Sequence, residues 1–471
     1  MPISHLPVEI HVLIASYLSS KDLPNYRSAC KCFADIGAQY LFQDLTFHAA
    51  HASINRINSV GLREDLKGNV HTITWDTGSV DVNVTDFGEW HYRLRVLRRQ
   101  ELAAAQEALR RELPDENDVR KAMEIFLRGE YEKYKVLVRE EREVQSQRLS
   151  GLTDHLVHFP KLKRIIVTKQ QRSHEDGLVM RDRDRGLVER GILACRAPYK
   201  HSQDMFPFVT ALKAAQDTTQ QLEVRSLNFG VFSQSVYNEH LHHIDTSHVS
   251  RLRLHFAMTD PSSDPLESSM SIMNCKRVLA QGHLKKFLLK FQNLQALGLD
   301  FEARSHGNGR APVNLHDIFS LDHQWRSLRE LAIYHVDTPA SVFARFIENH
   351  AASLERLALG DICLDPPDSW VVLLSNLQPQ LRLGSADFEY FLFDARIENF
   401  LRGRSAMIGW YCDSEVSAEE DSDLGKRLEK YLVEGGGCPL REERKIARVV
   451  GRLENQRIDD WLHNRHISLL T

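Results

Sequence analysis

Apolar and polar positions alternate along this chain in two rhythms. Between residues 5 and 47 the apolar side chains recur at three- and four-residue steps, the helical rhythm. Pro7 stands where a helix begins, a position that tolerates its fixed φ and missing N–H. Leu6, Ile10, Ile14, Tyr17 and Leu18 then predict one apolar stripe along a first helix. Ser19 and Ser20 close that helix and can cap a second, in which Leu23, Tyr26, Arg27 and Cys30 share a face. A third short helix near Phe33 to Leu41 turns Phe33, Ile36, Tyr40 and Leu41 inward. Three helices in about forty residues bury little surface alone, so a docking partner is physically welcome.

The second rhythm is apolar, two residues, apolar, one residue, apolar. It runs through Val70, Ile73, Trp75; Leu162, Ile165, Val167; Val224, Leu227, Phe229; Val249, Leu252, Leu254; Leu294, Leu297, Leu299; Leu328, Leu331, Ile333; and Leu354, Leu357, Leu359. Successive starts are 92, 62, 25, 45, 34 and 26 residues apart, and the gaps of 25 and 26 fall within the period of leucine-rich repeats. Between two copies, Val342, Phe343, Phe346 and Ile347 take helical spacing after a Thr-Pro start. The unit predicted is strand, turn, helix, and such units stack into a solenoid. On each strand the triplet points inward and the residues between and just after it point to the other face. That face collects Thr74, Asp76, Arg164, Thr168, Asn228, Arg251, Arg253, His255, Asp300, Glu330, Tyr334 and Arg356. Arg251, Arg253, His255, Asp300, Glu330 and Tyr334 form the candidate substrate-facing stripe, since Arg and Tyr are frequent binding hot spots.

From Trp90 to Leu156 helix formers dominate, with a break at Pro114 and Asp115. A helical hairpin is predicted, with Leu94, Leu97, Leu102, Leu109 and Leu113 on one arm and Ile125, Tyr131, Tyr134 and Leu137 on the other. RDRDRG at 181–186, DPSSDPLESSM at 260–270 and SHGNGRAP at 305–312 are expected as loops. LRLGSADF at 381–388 offers one more strand, and EVSAEEDSD at 415–423 an acidic linker. Ile446, Val449, Val450, Leu453 and Ile458 predict a terminal helix able to cap an open end of the array. The expected organisation is therefore 1–47, 48–410 with a helical insertion at about 90–156, and 411–471.

In the first stretch the order LPxEI, IxxYL, DL, RxxCKxF and LF resembles the F-box, with Phe33 where many F-boxes carry tryptophan. The triplet region resembles degenerate leucine-rich-repeat arrays that follow F-boxes in fungal proteins. The resemblance implies an α/β chain, a three-helix F-box followed by an irregular leucine-rich-repeat-like solenoid with a helical hairpin insertion. It also implies a substrate receptor of an SCF-type ubiquitin ligase, docked on a Skp-type adaptor that joins a cullin scaffold and a RING subunit. Adaptor contact would fall to Leu6, Pro7, Ile10, Ile14, Leu18, Leu23 and Cys30. The alternative is an F-box scaffold that binds the adaptor without promoting ubiquitination.

Charge and chemistry change this picture little. Sixty Lys plus Arg against 64 Asp plus Glu give a net charge of −4, which argues against a general nucleic-acid binder. The first twenty residues lack a basic leader, and the apolar run at 370–377 is too short to span a bilayer, so a cytoplasmic or nuclear protein is expected. Seven scattered cysteines suggest reduced thiols, with Cys30 in the helical core. GxxxxGK, HExxH, paired CxxC and GxSxG are missing, and the GxG of Gly307 and Gly309 lies in a polar loop. His240, His242, His243 and His248 match no closed ligand set. The expectation is a chain without catalysis, metal or cofactor, whose partners are the adaptor and a protein target.

Overall fold

Most of the apolar triplets become β-strands in the computed structural model. It describes residues 6–19, 22–48, 51–77, 84, 86–97, 99–113, 115–146, 156, 158–168, 205–215, 219–256, 273–301, 313–365, 367–401, 404–412, 424–443 and 445–449. Two units form, one of residues 1–200 and 206–219, the other of 201–205 and 220–471.

The first unit opens with helices α1 (Val8–Tyr17), α2 (Leu23–Ala29) and α3 (Lys31–Leu41). Ala15, Leu23 and Ile36 form their centre, with Val12, Leu18, Tyr26, Tyr40 and Leu41 packed around it. Phe33 stacks on Tyr26 at 4.7 Å and meets the His11 ring at 4.5 Å. The predicted α1 stripe is corrected here. The inner face of α1 is made by His11 and Ala15, while Ile10 and Tyr17 are exposed. Cys30 is exposed rather than in the core; it sits before α3, where its Sγ accepts the Phe33 N–H at 3.5 Å. The residue capping position of α2 is Asp22, whose Oδ2 accepts from the Ser19 hydroxyl at 2.6 Å.

Strands β1 (Asp44–His48), β2 (Thr72–Asp76) and β3 (Arg164–Thr168) then run parallel. Leu45, Ile73 and Ile165 are register partners, as are Phe47, Trp75 and Val167. All six are buried, and the Phe47 and Trp75 rings lie 5.3 Å apart. Phe42, Leu45 and Phe47 therefore form a further copy of the triplet spacing, hidden in the sequence by its overlap with the helical rhythm. The helical insertion has three members, α6 (Phe87–Leu97), α7 (Arg99–Glu112) and α8 (Glu116–Ser146), after the short α4 (His51–Gly61) and α5 (Glu64–Lys67). Its core is Trp90, Leu94, Leu102, Leu127, Tyr131 and Tyr134. Ile125 is exposed, because α8 presents Leu127, Tyr131 and Tyr134 inward at four- and three-residue steps and Ile125 falls off that face.

In the second unit, parallel strands follow in chain order: β4 (Gln221–Leu227), β5 (Arg251–Phe256), β6 (Ala296–Asp300), β7 (Glu330–Tyr334), β9 (Arg356–Leu364) and β10 (Ser385–Leu401). The two-residue β8 (Asp337–Thr338) pairs with β9. Leu252, Leu297, Leu331, Leu357 and Ala386 form one buried row across the ladder, and Leu254, Leu299, Ile333, Leu359 and Phe388 the next. The third triplet shifts phase. Leu222 and Val224 stand opposite Leu252 and Leu254, and the ladder slips between Val224 and Leu227. Asn228 is buried, its side-chain Oδ1 accepting the Gly230 N–H at the turn that ends β4.

Helices α9 (Met205–Ala214, nearly all in the first unit), then α10 (His283–Leu288), α11 (Leu315–Ile318), α12 (Ala340–His350) and α13 (Trp370–Leu377) precede or separate these strands. Aromatic contacts tie neighbours together: Phe287 to Phe232 at 5.5 Å, Phe319 to Phe346 at 4.2 Å and Phe343 to Trp370 at 5.6 Å. Beyond β10 the direction reverses, since β11 (Arg404–Tyr411) and β12 (Ile446–Val449) pair antiparallel. Ile446–Val449 is thus a strand where a helix was predicted; β-branched residues at 446 and 449 suit a ladder with β11 as well as a helix face. The remainder of that predicted helix, the acidic linker and the three predicted loops lie outside the described residues. Helix α14 (Leu424–Glu434) precedes β12.

Candidate functional site

Two surfaces, one in each unit, carry side chains that the fold does not consume. The first is the outer face of α1. Val8, Ile10, Leu13 and Tyr17 are exposed by 56, 40, 52 and 84 % on a ten-residue helix, at near-helical steps that place Ile10, Leu13 and Tyr17 side by side. Scattered apolar residues on a surface need no explanation, but Ile10, Leu13 and Tyr17 on one face of a short helix form a patch, while Val8 lies on the opposite side of the helix. Of the predicted adaptor contacts, Pro7, Ile10 and Cys30 are exposed, and Leu6, Ile14 and Leu18 are half-buried. Leu23 is buried in the three-helix core, where it holds the helices rather than facing out.

The second surface is the open face of the parallel ladder in the second unit. Register puts its residues in three rows across the strands. One row is Arg251, Ala296, Glu330, Arg356 and Ser385. The middle row is Arg253, Gly298, Ala332, Ala358 and Asp387, and the third is His255, Asp300, Tyr334, Gly360 and Glu389. The sequence stripe of Arg251, Arg253, His255, Asp300, Glu330 and Tyr334 is therefore brought together on one face. Asp76 and Thr168, assigned to an exposed face in the first unit, are buried instead. A cavity of about 400 Å³ lies over the middle row, bordered by Arg253, Glu330, Arg356, Asp387 and, from α14, Glu429.

The first row carries one net positive charge, since a single carboxylate, Glu330, is shared by Arg251 at 2.7 Å and Arg356 at 3.4 Å. The third row ends in a His–Asp cluster. Asp300 meets His255 at 3.3 Å and His335 at 2.9 Å, and His335 meets Asp361 at 3.1 Å. Residues His335 and Asp361 directly follow Tyr334 and Gly360, and both have left-handed backbone, with φ of 61° and 48°. That conformation breaks strand alternation and goes with the His335 ring reaching Asp300 and the Asp361 carboxylate reaching His335. Neither was legible in the sequence, because alternation was the rule being applied. Gly360 is required by close approach: a Cβ there would fall 2.6 Å from the Glu389 carbonyl oxygen and 2.7 Å from the Tyr334 ring.

Electrostatics follow from this packing. Burial opposes the charged form of His335, but the hydrogen bonds to Asp300 and Asp361 outweigh it and raise its pKa to about 9. Burial and the neighbouring Glu389, Asp387 and Asp300 push the Tyr334 phenol above its ordinary range, so it stays a neutral donor. Because the folded value of His335 lies above the ordinary 6.5, its stabilisation is complete below pH 6.5 and is lost as pH rises through about 9. The thermal midpoint should thus fall more steeply over that window in the wild type than in His335→Gln. Parallel slopes in a pH series of melting curves would remove His335 as the linked group.

The histidines at 242 and 243 are exposed, and among the described residues no His, Cys, Asp and Glu group is arranged to hold a metal ion. No helix among them is long and apolar enough to cross a membrane. Compared with known families, residues 3–48 match the F-box-like family. A search of the curated proteins finds no match.

Proposed function

We propose that this chain is a non-catalytic substrate receptor of an SCF-type ubiquitin ligase. The F-box-like segment docks on a Skp-type adaptor, itself joined to a cullin scaffold and a RING subunit. A protein target is held on the second unit, whose parallel array we take as leucine-rich-repeat-like, of the kind that follows F-boxes in fungal proteins. The chain works in the cytoplasm or nucleus. The observation that carries this reading is the exposed apolar face of α1 within the segment that matches the F-box-like family. F-box domains typically bind Skp-type adaptors. Holding a target near a charged conjugating enzyme accelerates transfer by proximity and orientation, so no catalytic group is required of this chain.

The test is capture of a recombinant Skp-type adaptor by the full chain, followed by deletion of residues 1–47 in cells. Capture is expected, and proteins bound by the deleted form should rise in abundance. Adaptor capture with no partner accumulating would instead identify a scaffold that does not promote ubiquitination. Failure to capture the adaptor would overturn the receptor assignment.

A further inference from the structure

We infer that the groove across strands β5, β6, β7, β9 and β10 takes an extended peptide segment bearing one acidic and one basic side chain about four or six residues apart, the acidic one at Arg253 and the basic one at Asp387 and Glu429. This deepens the receptor reading and rests on it for the origin of the peptide, a segment of the target protein.

The floor comes first. Gly298, Ala332 and Ala358 occupy the three central positions of the middle row, so nothing longer than a methyl group rises from the sheet between the ends of the groove. The wall rows are four residues apart along each strand, about 13 Å between Cα positions, before the wall side chains take their share. What is left is narrower than the roughly 10–12 Å of an α-helix with its side chains, so an extended chain fits and a helix does not.

Charge then sets the polarity. Along the first wall Glu330 holds both Arg251 and Arg356, which engages their guanidiniums and leaves that wall one positive charge in excess. In the other wall Asp300 is spent on His255 and His335. Arg253, Asp387 and Glu429, by contrast, take part in no ion pair among the described residues, and Arg253 and Asp387 are exposed. Gly298 lets the Arg253 stem lie toward β6, since a Cβ there would be 3.0 Å from the Arg253 Cγ. The stem therefore leans inward from β5 over β6. At the other end Asp387 and Glu429 converge from β10 and α14. The groove thus has a positive end and a negative end, four strand steps or roughly 19 Å apart between Cα positions and about one step less from the leaning Arg253 stem. An extended peptide covers roughly 14–19 Å in about four to six residues at about 3.3 Å each, and only the even separations, four and six, turn both side chains to the sheet. Because charge alone orients the peptide, acid-before-base and base-before-acid sequences both fit, in opposite chain directions.

The experiment is fluorescence anisotropy with the full chain and end-blocked, labelled nonapeptides of alternating alanine and serine. Each carries one glutamate and one lysine, at separations from two to seven. Affinity should peak at about four or six, at least about tenfold above separation two and above peptides with two glutamates or two lysines, a difference of about 1.4 kcal/mol. In the Asp387→Lys, Glu429→Lys variant both ends are basic, and preference should switch to the two-glutamate peptide. Arg253→Glu should switch it to the two-lysine peptide, and combining all three changes should restore the mixed peptide. A gain of binding to a new peptide cannot arise from misfolding, and the wild-type spacing profile stands even if a variant does not fold. A response flat with spacing, or variants that lose affinity without changing preference, would overturn the inference. Adaptor capture measured on the same preparation separates the two levels: peptides bound without adaptor count against the receptor reading, adaptor bound without peptides against the groove alone.

Discussion

Ile10→Asp combined with Leu13→Asp should abolish capture of a Skp-type adaptor while leaving the melting curve of the chain almost unchanged. Both side chains are more than a third exposed on the outer face of α1 and take no part in the core of Ala15, Leu23 and Ile36. Burial of one such side chain against a partner is worth about 1.5–3 kcal/mol. Losing two, and forcing two carboxylates into an apolar contact, should lower affinity by more than about a hundredfold. The contrasting variant is Ala15→Asp. Ala15 is 1 % exposed at the helix centre, so its replacement should unfold the three helices and lose adaptor binding through that route. Circular dichroism beside a pull-down distinguishes them. Equal loss of helix in both variants would mean that the outer face of α1 is structural and not a docking surface.

Trp370→Ala should be the most destabilising single change in the second unit, by about 3–5 kcal/mol. The indole is fully buried, meets Phe343 edge-on at 5.6 Å and donates its N–H to the Phe393 carbonyl at 3.2 Å. The Trp370 backbone N–H donates to the buried Asp394 carboxylate at 2.7 Å, which also accepts from the Ser369 hydroxyl at 3.2 Å and pairs with Lys445 at 2.8 Å. One residue therefore joins α12, α13 and β10, and the Asp394 it touches reaches the segment leading into β12. The thermal midpoint should drop on the order of 10 °C. Trp370→Phe should recover most of the loss, since it keeps the ring and gives up only the indole hydrogen bond. A fall of less than about 1 kcal/mol would show that the site collapses around the missing ring.

How much of this the sequence revealed depends on which physical signal each element carries. From Leu252 to Leu359 the apolar triplets do lie in strands with their leucines on the buried side, because leucines on one side and Arg251, Glu330 or Tyr334 on the other make an unbroken period of two; the register between strands came only with the fold. Around β4 the same rule failed by phase, since Leu222, Val224 and Leu227 are all buried and spacing alone could not choose among them. In α1 apolar residues lie on both faces, and the inner face is built from His11 and Ala15, one polar and one small. Periodicity had no means of telling the core side from the exposed side there. The groove was half legible: its walls and Arg253 follow from alternation, whereas Asp387 and Glu429 come from strands and helices brought near only by folding.

The chain-order pairing of β4, β5, β6, β7, β9 and β10 has a consequence for how this structure comes to exist. Each strand waits only for its immediate successor, so closing any one pair costs the entropy of a single intervening segment and not of the whole chain. Ordering can begin at any neighbouring pair and spread outward, which favours low contact order and rapid assembly. The same pairing makes length negotiable. Leu297 and Leu299 offer β7 the same apolar pair that Leu331 and Ile333 offer β9, so loss or gain of a whole strand-and-helix segment would leave matching faces to meet.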